Sequence, residues 1–195
     1  YEGRGEILRI TAQPHSGSRT IEFDPKRNLI AAEHLAVFPS PYVITRQGNA
    51  ERKIALTFDD GPDSEYTPQI LDALRQAGAH ATFFIIGANG ELHPELLRRI
   101  VDEGHELGNH TFTHPNISVI SPTQLELELS ATQRLLASAV GRRSLLFRPP
   151  YAEDSEPETI DQVRPIELAS KLGYLAVGMQ IDPDDWKRPG VDEIV

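Results

Sequence analysis

From Lys53 onward, short apolar runs alternate with segments of helical period, and this repeat admits few architectures. Five runs are predicted as strands, namely Lys53–Phe58, Ala81–Ile86, His105–Asn109, Leu145–Phe147 and Tyr174–Ile181. The segments between them are predicted as helices, namely Ile70–Ala77 and the segments that open at Pro94, Pro122 and Pro165. Strands separated by helices pair in parallel with both faces covered. The sequence therefore predicts an α/β fold, either an open doubly wound sheet or a (β/α) barrel.

Two stretches depart from this repeat. Residues 1–50 carry short alternating patches between Pro, Gly and charged residues, which indicates a β-rich or irregular extension packed beside a main domain of residues 51–195. Residues 152–163 form an acidic, proline-containing insertion that is too polar for a core, and we interpret it as a solvated loop. The histidines of the extension, His15 and His34, are interpreted as surface or structural residues.

The composition argues against some classes of function. The chain has 195 residues, of which 39% are hydrophobic, and this suits one globular domain with a core. A net charge of -10 without a Lys/Arg-rich stripe argues against nucleic-acid binding. There is no cysteine for a disulfide, and no run approaches the roughly 20 apolar residues that cross a bilayer. Because the chain begins at Tyr1 and not at Met, we expect it to be part of a longer protein.

Polar side chains follow four of the five predicted strands. In both candidate architectures the carboxyl ends of the strands carry the functional residues. The polar groups are, in chain order, Asp59 and Asp60, His110 and His114, Arg148 and Tyr151, and Asp182–Trp186. A barrel would bring these strand ends into one ring, so we expect these side chains to form a single site.

Three of these side chains form a plausible metal site. His110 and His114 are four residues apart, and on a helical turn their Cβ atoms would lie about 5 to 6 Å from each other on one face. The adjacent carboxylates of Asp59 and Asp60 repel each other, which a cation would relieve. Asp60, His110 and His114 would suit Zn²⁺ or another divalent transition metal, with positions left for water and substrate. The alternative is a pair of capping or surface histidines.

Such a metal suggests hydrolysis of an ester or amide, with Asp59 as the general base. The alternative for Asp59 is a turn cap before Gly-Pro. Arg148 could orient Asp59 through a charge-assisted hydrogen bond, or could form an ordinary surface ion pair. Pro149 and Pro150 stiffen the next turn, which could aim the backbone N–H of Tyr151 at a developing oxyanion.

The last polar group contains the only tryptophan of the chain. Trp186 is interpreted either as a core residue or as the wall of a sugar or acyl pocket. Asp185 could support a proton-donating group. His80, His93 and His105 are placed away from the predicted site and are interpreted as structural.

Taken together, these residues resemble the polysaccharide deacetylase family, which is carbohydrate esterase family four or the NodB-homology domain. Four of its motifs occur in the expected order within about residues 52–190. They correspond to Thr57-Phe58-Asp59-Asp60-Gly61, His110-Thr111-Phe112-Thr113-His114, Arg148-Pro149-Pro150-Tyr151 and Asp182-Pro183-Asp184-Asp185-Trp186.

The resemblance implies a distorted (β/α) barrel and metal-dependent N-deacetylation of glycans that contain N-acetylglucosamine. It implies that Asp59 is the base, that Arg148 orients it, and that Asp185 tunes the general acid. It also implies that Pro149, Tyr151 and Trp186 contact the substrate, with the Tyr151 N–H as oxyanion donor. The implied metal ligands are Asp60, His110 and His114.

Some expected features are missing from this sequence. The fifth family motif, a Leu-x-His, has no counterpart before Val195, so the resemblance implies a truncated barrel whose general acid lies elsewhere. The acidic insertion resembles the form of the domain fused to a glycosyltransferase, and family members act outside the cytoplasm. Two alternatives stay open, a non-catalytic glycan-binding module and an O-acetyl esterase acting on xylan-type glycans.

Overall fold

A computed structural model describes residues 1–152, 157 and 159–194 of the chain. The ten strands of the described residues are β1 Glu2–Gly3, β2 Ile7–Ala12, β3 Ser18–Asp24, β4 Leu29–Val37, β5 Val43–Gln47, β6 Leu56–Gly61, β7 Ala81–Ile85, β8 Glu106–Asn109, β9 Leu146–Phe147 and β10 Leu175–Val177. The six helices of the same residues are α1 Tyr66–Ala77, α2 Gly87–Leu92, α3 Pro94–Asp102, α4 Pro122–Val140, α5 Ile160–Lys171 and α6 Val191–Ile194.

The helix boundaries follow the local signals in the sequence. Ser121 caps α4, because its side chain accepts a hydrogen bond from the backbone N–H of Gln124. α1 and α4 both end at a glycine in the left-handed conformation, Gly78 with φ 62° and Gly141 with φ 68°. These ends agree with those predicted from the sequence.

The five strands from β6 to β10 lie side by side in chain order and pair in parallel. A helical segment connects each strand to the next, so the helices cover the sheet as the repeat predicts. This arrangement confirms the α/β prediction and is consistent with a distorted barrel. In the described part of the chain, β6 and β1 are the outer strands of the eight-stranded sheet.

The N-terminal residues extend this sheet. β2 pairs antiparallel with β10, β5 pairs antiparallel with β2, and β1 pairs in parallel with β5. Leu8 and Ile44 from these strands are buried in one cluster with Val163 and Ile166 of α5. The strands agree with the β-rich prediction for residues 1–50, while the domain boundary at residue 51 stays a prediction. β3 and β4 form a separate two-stranded hairpin.

The first strand of the repeat lies later than predicted. β6 continues to Gly61, so Asp59 and Asp60 belong to the strand and not to a turn after it. The pairing of β6 with β7 shifts between Phe58 and Gly61, and Asp60 has a φ of 66°. The strand is therefore irregular where its two carboxylates lie, as expected for a bulge near a functional site.

The helices α2 and α5 differ from the helices that the sequence predicts. α2 occupies Gly87–Leu92, where we interpreted Gly87 only as the boundary of a strand. α5 begins at Ile160 and not at Pro165, because Thr159 forms a capping box with Gln162. Its Val163 is buried, so the end of the predicted solvated loop belongs to a packed helix. Residues 153–156 and 158 of that loop lie outside the described residues.

His105 is a structural residue, as predicted. Its side chain is buried at the start of β8, and its Nδ1 accepts a hydrogen bond from the backbone N–H of Ala81 at 3.3 Å. Burial lowers the pKa of this imidazole below its ordinary value. The folded protein therefore favours the neutral ring.

We predict that His105 makes the protein less stable as the pH falls below about 6.5, the ordinary pKa of histidine. The unfolded chain binds the proton first, because only the folded state lowers the pKa, and the free energy of unfolding then decreases. His105→Asn keeps an acceptor for Ala81 and does not titrate in this range. Urea unfolding at pH 7 and pH 5 should show a smaller loss for the variant, and equal losses would contradict the prediction.

Candidate metal centre and active site

Asp60, His110 and His114 converge at the carboxyl ends of β6 and β8. Asp60 Oδ1 lies 3.4 Å from His110 Nε2 and 3.2 Å from His114 Nε2. One potential ligand atom from each residue lies within 4.8 Å of the other two. The structure therefore brings together the three side chains that the sequence suggests as metal ligands.

The hydrogen bonding of His110 favours a cation at this point. Its Nδ1 lies 2.7 Å from the carbonyl oxygen of Arg148, which can only accept a hydrogen bond. The proton of a neutral ring is therefore on Nδ1, and Nε2 presents a lone pair towards Asp60 Oδ1. Two facing acceptors need a second proton on the ring or a cation between them. With a second imidazole nearby, this donor set fits Zn²⁺ or another divalent transition metal.

The protonation preferences of the ligands also fit metal binding. The pKa of Asp60 lies below its ordinary value, because a protonated His110 would donate a hydrogen bond to it, and the positive charges of protonated His110 and His114 would act in the same direction. Burial lowers the pKa of His114. Both shifts favour the deprotonated forms, which are the forms that bind a metal.

The loop that carries the two histidines is not helical. The helical turn considered for the spacing of His110 and His114 is therefore wrong. Thr111 and His114 have φ angles of 67° and 58°, so the chain curls through two left-handed residues. The ring centroids of His110 and His114 are nevertheless only 5.0 Å apart. A compact loop thus achieves the convergence that a helical turn would have provided.

Glu128 of α4 holds this loop. One carboxylate oxygen accepts the backbone N–H groups of Phe112 and Thr113 at 2.8 and 2.7 Å, and the other accepts the hydroxyl of Thr113 at 2.7 Å. All three donors lie between the two histidines in the chain. A buried carboxylate therefore fixes the curvature on which the distance between the two imidazoles depends.

Two contacts from neighbouring elements support the same loop. The side-chain oxygen of Asn109 accepts the N–H of Thr111 at 2.9 Å. The carbonyl of Thr111 in turn accepts the N–H of Gly87 at the start of α2, also at 2.9 Å. A Cβ on Gly87 would lie 2.2 Å from a ring carbon of Phe112, so only glycine lets α2 approach the loop this closely.

Arg148 connects the second carboxylate to the site. Its Nη1 donates to Asp59 Oδ1 at 2.9 Å and to Thr57 Oγ1 at 2.8 Å, and its Nη2 donates to the carbonyl of Gly178 at 2.8 Å. The guanidinium also lies over the ring of Phe84, 4.2 Å from its centroid. Because its side chain is only 5% exposed, this is not an ordinary surface ion pair. Asp59 thus points to Arg148, whereas Asp60 points to the histidines.

Tyr151 borders the metal ligands. Its ring meets the edge of His114 with centroids 4.7 Å apart, and its hydroxyl donates to the carbonyl of His114 at 3.4 Å. Pro149 and Pro150 before it are buried. Tyr151 has a φ of 67°, an unusual value for a bulky residue that often marks a functional position.

The structure does not bring Asp185 and Trp186 into this cluster. They form a short 3-10 turn with Lys187, and Trp186 is 70% exposed. The ring contact of Trp186 is with the ammonium of Lys187, 4.9 Å from the centroid. Within the described residues, no hydrogen bond or ion pair joins Asp185 or Trp186 to Asp59 or to the three metal-ligand candidates. Exposure excludes the core interpretation of Trp186.

Sequence reasoning missed the supporting residues. Glu128 and Thr132 lie on the buried face of α4, together with Leu125 and Leu129, so each interrupts an apolar stripe. A charged residue at a position of helical core period is an available signal for a buried structural carboxylate. Thr57 and Asn109 carry no comparable signal, because polar residues at strand ends are common.

The comparisons with known proteins agree with this geometry. A family model described as "Polysaccharide deacetylase" matches residues 46–177. A peptidoglycan-N-acetylglucosamine deacetylase of Bacillus cereus is 38% identical over 142 residues, and a chitooligosaccharide deacetylase of Sinorhizobium fredii is 39% identical over 153 residues. The crystal structure of the Bc1960 peptidoglycan N-acetylglucosamine deacetylase superposes with a TM-score of 0.65 at 38% identity.

These matches cover the relatives only in part. The first relative aligns with 73% of this chain but 49% of its own length, and the second with 78% of this chain and 68% of its own length. The solved structure aligns with 72% of this chain and 62% of that chain. The chain thus spans about half to two thirds of the length of these three proteins.

We predict that Asp60→Ala and His114→Ala each weaken Zn²⁺ binding by more than about 100-fold. Removal of a direct ligand should cost more than removal of an outer partner, which typically costs about 10- to 100-fold. Asp59→Asn is the matched control, because Asp59 points to Arg148 and should retain the ion. Isothermal titration calorimetry on the metal-free proteins measures all three affinities. Zinc binding by the alanine variants at the wild-type affinity would contradict the assignment of Asp60 and His114 as metal ligands.

Glu128→Gln should weaken zinc binding about 10- to 100-fold, as observed for outer partners of metal sites. Glutamine replaces one acceptor oxygen with an N–H donor, which would face donors of Phe112 or Thr113. The control is Glu126→Gln, an exposed carboxylate two residues away on the same helix. The two variants should differ in zinc affinity by calorimetry; equal affinities would show that Glu128 does not position the loop.

Proposed function

The chain belongs to the polysaccharide deacetylase family, and on that premise we propose that it forms the site of a metal-dependent hydrolase that removes N-acetyl groups from glycans containing N-acetylglucosamine. One observation carries the proposal. Two adjacent carboxylates have separate partners, because Asp60 meets a pair of histidines while Asp59 meets a buried arginine. A site with one carboxylate for a metal and one for a proton is suited to amide hydrolysis.

Asp60, His110 and His114 would hold the metal ion. When bound at these three residues, Zn²⁺ or another divalent transition metal supplies a Lewis acid and lowers the pKa of a coordinated water towards about 7. Three protein ligands leave room for water and for a substrate oxygen. Asp60 is the most exposed of the three, with its side chain 66% accessible, so the open side of the site faces solvent.

Asp59 would take the proton of the attacking water. Its Oδ1 is occupied by Arg148, and within the described residues its Oδ2 has no hydrogen-bond partner. Oδ2 is therefore the atom that can accept a proton, while the bond to Oδ1 sets the direction of the carboxylate. Arg148 itself is immobilised by Thr57, Gly178 and the Phe84 ring, so it acts as a rigid support for the base.

The turn at Arg148–Tyr151 would bind the acetyl group and the sugar. The left-handed conformation of Tyr151 and the two prolines before it support the proposal that its backbone N–H donates to the developing oxyanion. The exposed ring of Tyr151 beside His114 offers an apolar surface for a sugar face, and a contact of the substrate with Pro149 stays a prediction. Further contacts from Trp186 and support of a general acid by Asp185 remain predictions.

The relatives suggest the substrate class. One is named for peptidoglycan and another for chitooligosaccharides, and both of these glycans contain N-acetylglucosamine. We propose that this protein acts on such a polymer outside the cytoplasm, and that a glycosyltransferase domain accompanies it in the complete protein. Among the described helices, none has the length and apolar character needed to cross a membrane.

The proposal predicts chelator-sensitive acetate release from an N-acetylglucosamine pentamer. Adding a chelator should abolish release and adding Zn²⁺ should restore it, because the ion supplies the Lewis acid and the activated water of the reaction. Measuring acetate enzymatically with this oligomer and with acetylated xylan separates the amide from the ester reaction. Release from xylan alone would favour the esterase. Binding of the oligomer without any release would favour a non-catalytic module.

Asp59→Asn should lower kcat by about 10²- to 10⁴-fold, the usual contribution of a general base, while zinc affinity is retained. The amide of asparagine can still meet Arg148 through its oxygen but cannot accept the proton. Steady-state acetate release tests the loss of turnover, and zinc titration on the same preparation tests the retained metal affinity. An Asp59→Asn protein with wild-type turnover would exclude Asp59 as the base and would leave the metal assignment intact.

A further inference from the structure

A cleft of about 390 Å³ opens at the opposite end of the parallel strands from the metal centre. We call it the basic cleft; its wall includes Arg134 on α4, Arg143, Ser144 and Leu145 before β9, and Leu172 and Tyr174 before β10. The segments before β9 and β10 lie at the amino ends of these strands, whereas the metal ligands lie at or just after the carboxyl ends of β6 and β8. The volume is within the range of about 300–1,000 Å³ that is usual for sites of small molecules.

The charge of the basic cleft differs from that of the whole molecule. The chain has a net charge of -10, yet neither Asp nor Glu lines this cleft and two arginines do. Within the described residues, no ion pair joins Arg134 or Arg143 to a carboxylate, whereas seven of the other thirteen arginines have one. These seven are Arg19, Arg27, Arg46, Arg75, Arg99, Arg148 and Arg164. Two unpaired guanidinium groups in one concavity favour an anionic ligand.

The rest of the wall is largely apolar. Leu145 is 64% exposed and Leu172 is 40% exposed, so both side chains present apolar surface at the opening. Tyr174 is buried, which raises the pKa of its hydroxyl, and the hydrogen bond from Asn109 and the charge of Arg143 oppose that rise. The charge of Arg143 therefore acts within the cleft, next to an apolar surface. A ligand that combines an anionic head with an apolar body would match both parts.

An unsatisfied polar group lies beside the basic cleft. A small cavity of about 30 Å³ shares Arg143 and Ser144 with the basic cleft and is also lined by Arg142 and His105. His105 is 5% exposed, and its Nε2 has no hydrogen-bond partner in the described residues. Because Nδ1 accepts from Ala81, Nε2 of the neutral ring carries the proton and is an unsatisfied donor.

The cavity beside His105 can hold one oxygen-sized group. A buried donor without a partner is costly, so a ligand oxygen there would be stabilising. Glu106, which is exposed, also lines this small cavity. The anionic head is therefore expected between Arg134 and Arg143, in the larger cleft, which has no acidic residue in its wall.

We propose that the basic cleft binds a small organic anion, a carboxylate or phosphate monoester with an apolar body, at a site separate from the metal centre. The head contacts Arg134 and Arg143, and the body covers Leu145 and Leu172. The proposal does not depend on the deacetylase activity, because none of the residues of the cleft touches Asp59 or the metal ligands.

Calorimetric titration with phenyl phosphate and with benzoate tests the proposal. At least one of them should bind about tenfold more tightly than inorganic phosphate and than phenol. Inorganic phosphate lacks the apolar body, and phenol lacks the anionic head. Tighter binding of phenyl phosphate assigns a phosphate ester, and tighter binding of benzoate assigns a carboxylate. The Arg134→Gln/Arg143→Gln double variant should bind at least about tenfold more weakly, with acetate release unchanged.

Two controls separate the cleft from other cationic sites. Arg27→Gln/Arg52→Gln makes the same change in net charge in the N-terminal part of the chain and should leave binding unchanged. His114→Ala removes a metal ligand and should also leave it unchanged. Undiminished binding by Arg134→Gln/Arg143→Gln, loss of binding in His114→Ala, or no binding of either anion at millimolar concentration would overturn the proposal.

Discussion

The buried residue Arg148 connects both halves of the candidate active site. Its carbonyl oxygen fixes the proton of His110 on Nδ1, so the other nitrogen is free for a metal. Its guanidinium holds Asp59 at 2.9 Å. Because its side chain is only 5% exposed, the guanidinium cannot leave Asp59 without leaving a buried charge unpaired, so this one residue helps to position both the base and a metal ligand.

The two adjacent aspartates therefore have different roles, which their surroundings determine. Asp59 and Asp60 follow each other in β6, but the irregular pairing before Gly61 and the left-handed conformation of Asp60 direct them to different partners. One meets a guanidinium and keeps an oxygen free for a proton. The other meets two imidazoles, and positive charge at these rings, when they are protonated, lowers its pKa.

The sequence predicted the parts of the fold that depend on local signals. The strands from β7 to β9 and the caps of α1 and α4 appear within a residue or two of their predicted positions, because apolar period and Ser or Gly caps are local properties. α2 could not be found in this way. Its sequence contains two glycines, and its first N–H groups bond to the carbonyls of Thr111 and Phe112, more than 20 residues away in the chain.

By itself, the sequence determined the order of the βα units and the residue types available at their ends, including one histidine pair and two adjacent carboxylates. Only the tertiary structure showed how Glu128 curls the loop between the two histidines, and that Trp186 is exposed away from the metal-ligand candidates. The physical reason is that residue type and periodicity are encoded locally, whereas distances between side chains depend on the packing of segments far apart in the chain.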